Sequence, residues 1–220
     1  MDVREALYTT RAMRRVRPDP IPEDVQARIL DAAIRAPSGG NTQEWRFLLI
    51  DSPEVKGKLA PLYHDAIDKL WKTIYADRLA AAAADPESRR SQTLIKTQRS
   101  AQWLADNFET VPLYLAAYTR HDPTGGSIFP AVWSAQLAAR AEGVGSALTV
   151  VLGLFHGKET AEILGVPEGE GWTQACLVSF GYPTGRWAVA ERKPVHKVAY
   201  RNSWAGDLGF AVDDPLWPAS

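Results

Sequence analysis

Four arginines crowd one short stretch near the start of the chain: Arg11, Arg14, Arg15 and Arg17, with Arg4 just upstream. A guanidinium presents a planar fork of N–H donors that matches phosphate oxygens, so several converging on one point can hold a phosphate dianion. On spacing alone, a solvated basic face paired with surface carboxylates is the simpler reading. A second concentration of useful residues is Ala36-Pro37-Ser38-Gly39-Gly40-Asn41-Thr42-Gln43-Glu44-Trp45. Its small residues let a flat ligand approach the backbone. Ser38, Asn41 and Gln43 add neutral donors and acceptors suited to a heteroaromatic ring with carbonyl and imide edges. A helix stop followed by a turn explains the glycine pair and Asn41 fully, and the Gln-x-Trp continuation less well. Far along the chain, Arg192-Lys193-Pro194 supplies cations that either close on the same phosphate or face water. Gly143-Val144-Gly145-Ser146 follows a helix and enters a strand, the reverse of the order a dinucleotide fingerprint needs, so an ordinary turn explains it.

Several constellations are missing from the sequence. It has no phosphate-cradling Walker loop and no Gly-x-Ser-x-Gly nucleophile elbow. His64, His121, His156 and His196 are scattered, without a neighbouring motif that would make one a general base. With a single cysteine, Cys176, they cannot build a Cys/His metal cluster. No metal and no catalytic side chain are expected, so a reaction here needs a bound cofactor to carry the reacting atoms.

The elements that must position these residues follow from period and punctuation. Residues 2–10 read as a short helix, and Pro18, Pro20 and Pro22 stiffen the connection to the next. Val25, Ile29, Ala32, Ala33 and Ala36 keep the helical period over Glu23–Ala36, and Pro37–Asn41 stops it. Arg46–Ile50 is expected to be a strand, residues 54–107 polar helices, and Pro112–Tyr118 a buried strand. Ser127 is a plausible N-cap for a helix striped by Phe129, Val132, Trp133, Gln136, Leu137 and Arg140, which Gly143 and Gly145 end. Strands are expected at Ala147–Leu152 and Ala175–Phe180, with a short helix near Lys158–Leu164 between them. After Tyr200 no period is visible, and Trp204, Phe210 and Trp217 make the tail too aromatic for water, so it should lie on another surface.

The chain has 220 residues, of which 45% are hydrophobic and 23% charged, an ordinary globular balance expected to form one domain. Its 25 Lys+Arg against 26 Asp+Glu leave a net charge of −1, which argues against a wide nucleic-acid or membrane-binding face. The lone cysteine fits a reducing compartment. The charged start lacks the apolar run of a signal peptide, and the longest apolar stretch, 147–155, is too short to span a bilayer. A cytoplasmic location is therefore expected.

Taken together, these segments resemble the FMN-dependent nitroreductase family. The resemblance rests on Thr10-Arg11-Ala12-Met13-Arg14-Arg15, the Ala-Pro-Ser-Gly-Gly-Asn-Thr-Gln-Glu-Trp loop, Phe129-Pro130-Ala131-Val132-Trp133 with Arg140–Gly145, and Gly181-Tyr182-Pro183 followed by Arg192-Lys193-Pro194. It spans most of residues 8–198; residues 54–107 and the tail match poorly. It implies an α+β fold with a mixed, mainly antiparallel sheet flanked by helices, built as an intertwined homodimer with two flavins at the interface. The tail (203–220) would wrap the neighbouring subunit, and residues 54–107 would shape the substrate slot, with Trp71, Tyr75 and Trp103 as pocket aromatics or simply core. By the same resemblance, Arg11 and Arg14, flanking Ala12, would hold the FMN phosphate, joined by Arg192. Pro37, Ser38, Gly39 and Asn41 would reach the flavin from the second subunit, with Gln43 supporting that loop. Backbone groups of Ala147, Leu148 and Thr149 would face the ring's reactive edge.

Two positions depart from the family pattern: Ala12 stands where a serine is usual, and Glu44 where a proline is usual. Arg15 is expected to compensate for the hydroxyl lost at Ala12. The implied chemistry is ping-pong: NAD(P)H gives hydride to flavin N5 and leaves, and a nitroaromatic, quinone or related small-molecule acceptor then takes its place. The alternatives are another flavin reaction (fragmentation, dehalogenation or dehydrogenation), a non-catalytic flavin-binding module, or a deazaflavin held by the same arginines.

Overall fold

A computed structural model describes residues 1–217. Pro218–Ser220, the last residues of the expected tail, lie outside them. The elements run in the order α1 (Val3–Thr9), α2 (Glu23–Ala33), β1 (Trp45–Ile50), α3 (Pro53–Lys72), α4 (Ala76–Ala84), α5 (Arg89–Asp106), β2 (Leu113–Thr119), α6 (Ile128–Ala141), β3 (Gly145–Thr149), α7 (Val151–Ile163) and β4 (Thr173–Gly181). The four strands form one sheet in the order β1-β2-β4-β3, every neighbouring pair antiparallel. Single bridges tie Ala12 to Ser146 in parallel and Val16 to Pro183 antiparallel, so the fold is α+β, as expected.

Both faces of the sheet are covered, which is why β2 reads as a continuous apolar run and is buried throughout. On one face α3, α5 and α7 pack Leu59, Tyr63, Ile67, Leu104 and Leu152 against Tyr114, Ala116 and Tyr118. On the other, α2 and α6 set Ile29, Ala33, Ala131, Val132 and Ala135 against Leu113, Leu115 and Val178.

Local chemistry fixes the helix starts. The Asp2 carboxylate accepts from the backbone N–H groups of Arg4 and Glu5, and the Ser52 hydroxyl accepts from Val55 just ahead of Pro53. Ser127 stands at the N-cap position of α6, as expected, but its hydroxyl makes no capping bond. Asp122 takes that role, its Oδ2 accepting from the N–H of Ser127 at 3.0 Å and of Ile128 at 2.9 Å.

Other differences from the sequence reading have local causes. α2 ends at Ala33, and residues 34–36 are a turn. β3 begins at Gly145 and stops at Thr149; Val151 and Leu152 already belong to α7, because an apolar stretch this short does not distinguish a buried strand from the start of a buried helix. On α6 the small residues Ala131, Ala135 and Ala139 face the core with Val132, while Phe129 and Trp133 are 38% and 40% exposed. Residues 54–107 are helical, as expected, divided among α3, α4 and α5. Trp71 is core, packed with Tyr75 at a ring separation of 4.7 Å. In the tail Trp204 is 91% exposed, whereas Trp217 packs on Tyr8.

Candidate active site

The arginine segment is docked by its backbone, while Arg11, Arg15 and Arg17 keep exposed side chains and Arg14 alone is half-buried. Met13 N–H donates to the Ser146 carbonyl at 2.8 Å, Arg17 N–H donates to the Tyr182 carbonyl at 2.8 Å, and Thr184 N–H donates to the Arg15 carbonyl at 3.0 Å. Residues 12–17 thus lie across the ends of β3 and β4. Two glycines permit this approach. A Cβ on Gly145 would sit 2.9 Å from the Met13 Cβ, and one on Gly181 would sit 2.7 Å from Val16.

This docking turns Arg14 inward, half-buried beside Tyr63 of α3. Burial lowers its pKa from the ordinary arginine value, and among the described residues no carboxylate lies within ion-pair distance. The Tyr63 phenol is pushed up by burial and pulled back by a side-chain hydrogen bond with Thr149 and by the Arg14 charge. Arg14, Tyr63 and Thr149 therefore meet where β3 ends, an assembly fit for an anion: a desolvated cation without its counter-charge, beside hydroxyls. Arg15, one residue on, is exposed and lies over the Trp103 indole of α5 at 5.3 Å from the ring centre. Arg11 is exposed, as is Ala12.

The C-terminal cations come to the same side of the molecule. Residues 182–190 run back along 8–17, with Ala190 N–H donating to the Tyr8 carbonyl at 3.3 Å. Arg192 donates to the Glu191 carbonyl at 2.8 Å, and Glu191 pairs with Arg89 at the start of α5. Arg140, buried in α6, locks this corner: its Nε donates to Thr9, Nη2 reaches Glu5 at 3.2 Å, and its guanidinium lies 4.2 Å from the Trp187 ring centre.

The Pro37–Gln43 loop is elsewhere. It leaves α2 on the opposite face of the sheet, where Gly39 N–H donates to the Ser127 hydroxyl at 3.1 Å. Ser38 Oγ accepts from Gln43 N–H at 3.2 Å, and Gln43 Nε2 donates to Asn41 Oδ1 at 3.1 Å, holding Asn41 and Gln43 at φ of 53° and 52°. Two non-glycine residues in left-handed backbone within three positions store strain in an exposed loop, as functional loops do. Glu44 replaces proline stiffness with charge: its carboxylate takes Arg120 Nε at 2.9 Å and His121 Nδ1 at 2.8 Å. Trp45 pairs with Thr119, whereas Ser146 pairs with Phe180 and so aligns with Leu113. Six residues along the strands and three strand spacings across separate the loop from Arg14 by roughly 25 Å. The structure brings Arg14 to Tyr63 and Tyr63 to Thr149, with Arg15 beside them on Trp103, but not the loop.

Sequence reasoning missed Tyr63, whose place on α3 carries no local signal, and Thr184. Gly145 and Gly181 stood in motifs of the family resemblance, but nothing in the sequence tied them to the docking of the arginine segment. His156 is buried, its Nε2 2.6 Å from Asp65 of α3 and its Nδ1 3.4 Å from Glu159. Cys176 is buried, which pushes its thiol up to about 12 and leaves it inert.

The model of the Nitroreductase family matches residues 7–182. An NADH dehydrogenase of Thermus thermophilus is 29% identical over 202 residues, covering 90% of this chain and 95% of that protein. A 5,6-dimethylbenzimidazole synthase of Rhodobacter capsulatus is 28% identical over 194 residues, 81% of this chain and 82% of its own length. Among solved structures, an iodotyrosine deiodinase bound to FMN and 3-iodo-L-tyrosine superposes with a TM-score of 0.71 at 18% identity, over 91% of this chain and 98% of that one. With the family model covering most of its length, this chain belongs to the Nitroreductase family of oxidoreductase-type enzymes.

Proposed function

We propose that the protein is an FMN-dependent oxidoreductase that takes electrons from NAD(P)H and reduces a small electrophile such as a nitroaromatic or quinone, working as a homodimer. The observation that carries this reading is Arg14: a half-buried guanidinium without a carboxylate partner among the described residues, beside Thr149 and Tyr63. Such a cation is poorly solvated and unneutralised until an anion arrives, and a phosphate monoester supplies one. Arg11, Arg15 and Arg192 add charge from the same side. FMN bound there supplies a ring that accepts two electrons and passes them on.

The chain's own groups do the rest. Backbone amides of Ala147–Thr149 line the edge at which the ring would end, and no side chain is needed to move a proton. The Ser38–Gln43 loop leaves α2 on the other face of the sheet, and three residues along the strands and three strand spacings across put Trp45 roughly 17 Å from Thr149, so the loop does not meet that ring within one chain. A second copy can present it, which is the reason for a dimer. Similarity to a 5,6-dimethylbenzimidazole synthase and to an iodotyrosine deiodinase keeps a different flavin reaction as the second reading.

The test is the visible spectrum of the purified protein before and after anaerobic NADH or NADPH. Flavin absorbance that bleaches and returns on adding a quinone or nitroaromatic supports the first reading. Flavin that does not bleach refutes the nicotinamide step, and a colourless protein that takes up no FMN refutes the cofactor. Mixing an Arg14→Ala chain with a Ser38→Ala/Asn41→Ala chain tests the shared site, since only mixed dimers regain one intact pair of halves.

A further inference from the structure

Arg17 lies over the Tyr182 ring at 5.5 Å but is also neutralised, its Nε 2.9 Å from the Asp19 carboxylate. Arg15, two residues earlier, is held differently. Among the described residues it has no carboxylate within ion-pair distance, and its guanidinium lies over the indole of Trp103. Both sides of this contact are fixed independently. The Arg15 carbonyl accepts from Thr184 N–H at 3.0 Å and from the Thr184 hydroxyl at 3.3 Å, which pins the backbone from which the side chain grows. Trp103 sits in the last turns of α5, where buried Ala101, Leu104 and Ala105 set the helix's rotation. Its carbonyl is taken by the N–H and the side-chain amide of Asn107, the latter at 2.8 Å.

An indole holds a guanidinium without neutralising it. A carboxylate would fix Arg15 as firmly but would cancel the charge that a phosphate needs, whereas an aromatic face leaves the full positive charge and the outer N–H donors free. The same economy appears at Arg14, which meets the neutral Tyr63 rather than an acid. The segment also lacks the hydroxyl that a serine at position 12 would offer, so its anion-binding power rests on guanidinium groups kept in place.

We infer that Trp103 is a positioning residue for the phosphate subsite, holding Arg15 in a phosphate-binding pose by cation–π contact. This rests on the proposed FMN reading. It gives α5 a part in cofactor binding that the arginine motif does not reveal: a helix of the region expected to shape the substrate slot also orients a phosphate ligand from behind. Trp103 touches no cofactor atom, so its effect should be confined to ligands that carry the phosphate.

The comparison of FMN with riboflavin isolates that effect, because the two share the ring and differ by the phosphate. The deflavinated wild-type, Trp103→Ala, Trp103→Phe, Arg15→Ala and Trp103→Ala/Arg15→Ala proteins are titrated with each flavin by fluorescence quenching, after their melting curves confirm folding. Trp103→Ala is expected to weaken FMN binding about fivefold and leave riboflavin unchanged. Trp103→Phe, which keeps an aromatic face, should restore most of the loss, and Trp103→Ala should add nothing once Arg15 is gone. Equal weakening of both flavins by Trp103→Ala, no weakening of either, or additive losses in the double variant overturns the inference while leaving the FMN reading standing. A wild-type protein that binds neither flavin overturns both.

Discussion

The close approach of residues 12–17 to the sheet can be tested by adding one methyl group. In Gly181→Ala the new Cβ would lie 2.7 Å from both Cβ and Cγ2 of Val16 and 3.2 Å from Pro112 Cδ. Val16 is buried and β-branched, so it cannot swing away, and the two backbones must part. Overpacking of this kind costs about 1–3 kcal/mol. Weakening the Arg17–Tyr182 and Thr184–Arg15 hydrogen bonds adds up to about 1 kcal/mol each. The lower chain entropy of alanine in the unfolded state returns about 0.4–1 kcal/mol. The net loss centres on about 2 kcal/mol, which for a chain of this length is a fall in melting temperature of about 4–8 °C. Calorimetry reads the first effect, and FMN titration well below the transition reads the second, a loss of at least about tenfold if two arginines leave their places. Gly157→Ala on α7 is the control: nothing lies within 4 Å of its Cβ, so it should stabilise by about 0.5–1 kcal/mol. A Gly181→Ala protein that melts within a degree of wild type and binds FMN unchanged would refute the argument that this glycine makes room for the arginine segment.

Arg14→Met should raise the melting temperature of the cofactor-free protein, since it removes a half-buried charge that has no counter-ion, and should weaken FMN binding about 10- to 100-fold; lower stability together with unchanged affinity would contradict the phosphate assignment. For Glu44, hydrogen bonds to His121 and Arg120 hold the carboxyl below its ordinary value. Its contribution to stability is therefore complete at neutral pH and is lost as pH falls through and below the ordinary carboxylate range. Melting curves of wild type and Glu44→Gln from pH 7 to pH 3 should converge on acidification, and parallel curves would remove Glu44 from the account.

Much of the architecture was legible in the sequence because it is written in local pattern. The apolar run of β2 announced a strand buried on both faces, and Pro37–Asn41 announced a helix stop. The errors fell where local pattern is silent. Nothing at Val150–Leu152 separates the end of a strand from the first turn of a buried helix. The cap of α6 went to Asp122, five residues before Ser127, because a carboxylate that accepts two backbone N–H groups outcompetes a hydroxyl. For the site, residue types identified Arg14 and the Ser38–Gln43 loop, but only the strand register shows that they stand at opposite ends of the sheet. Tyr63 and Trp103 carry no motif; their relation to the arginines exists only once α3 and α5 are packed.

The zipper between residues 8–17 and 182–190 has a temporal side. The arginine segment is synthesised well ahead of the backbone groups on which it docks, which, from Ser146 to Thr184, are made more than a hundred residues later. At roughly 5–20 residues per second this interval lasts on the order of ten seconds or more. Throughout it the arginines have no place to settle and are free to meet other polyanions. Completion of the phosphate end is thus among the last events of folding, with the slow closure that contacts so distant in sequence entail. A chain interrupted before β4 would have most of its helices and the Met13–Ser146 contact, but not the Tyr182 and Thr184 contacts that fix Arg15 and Arg17.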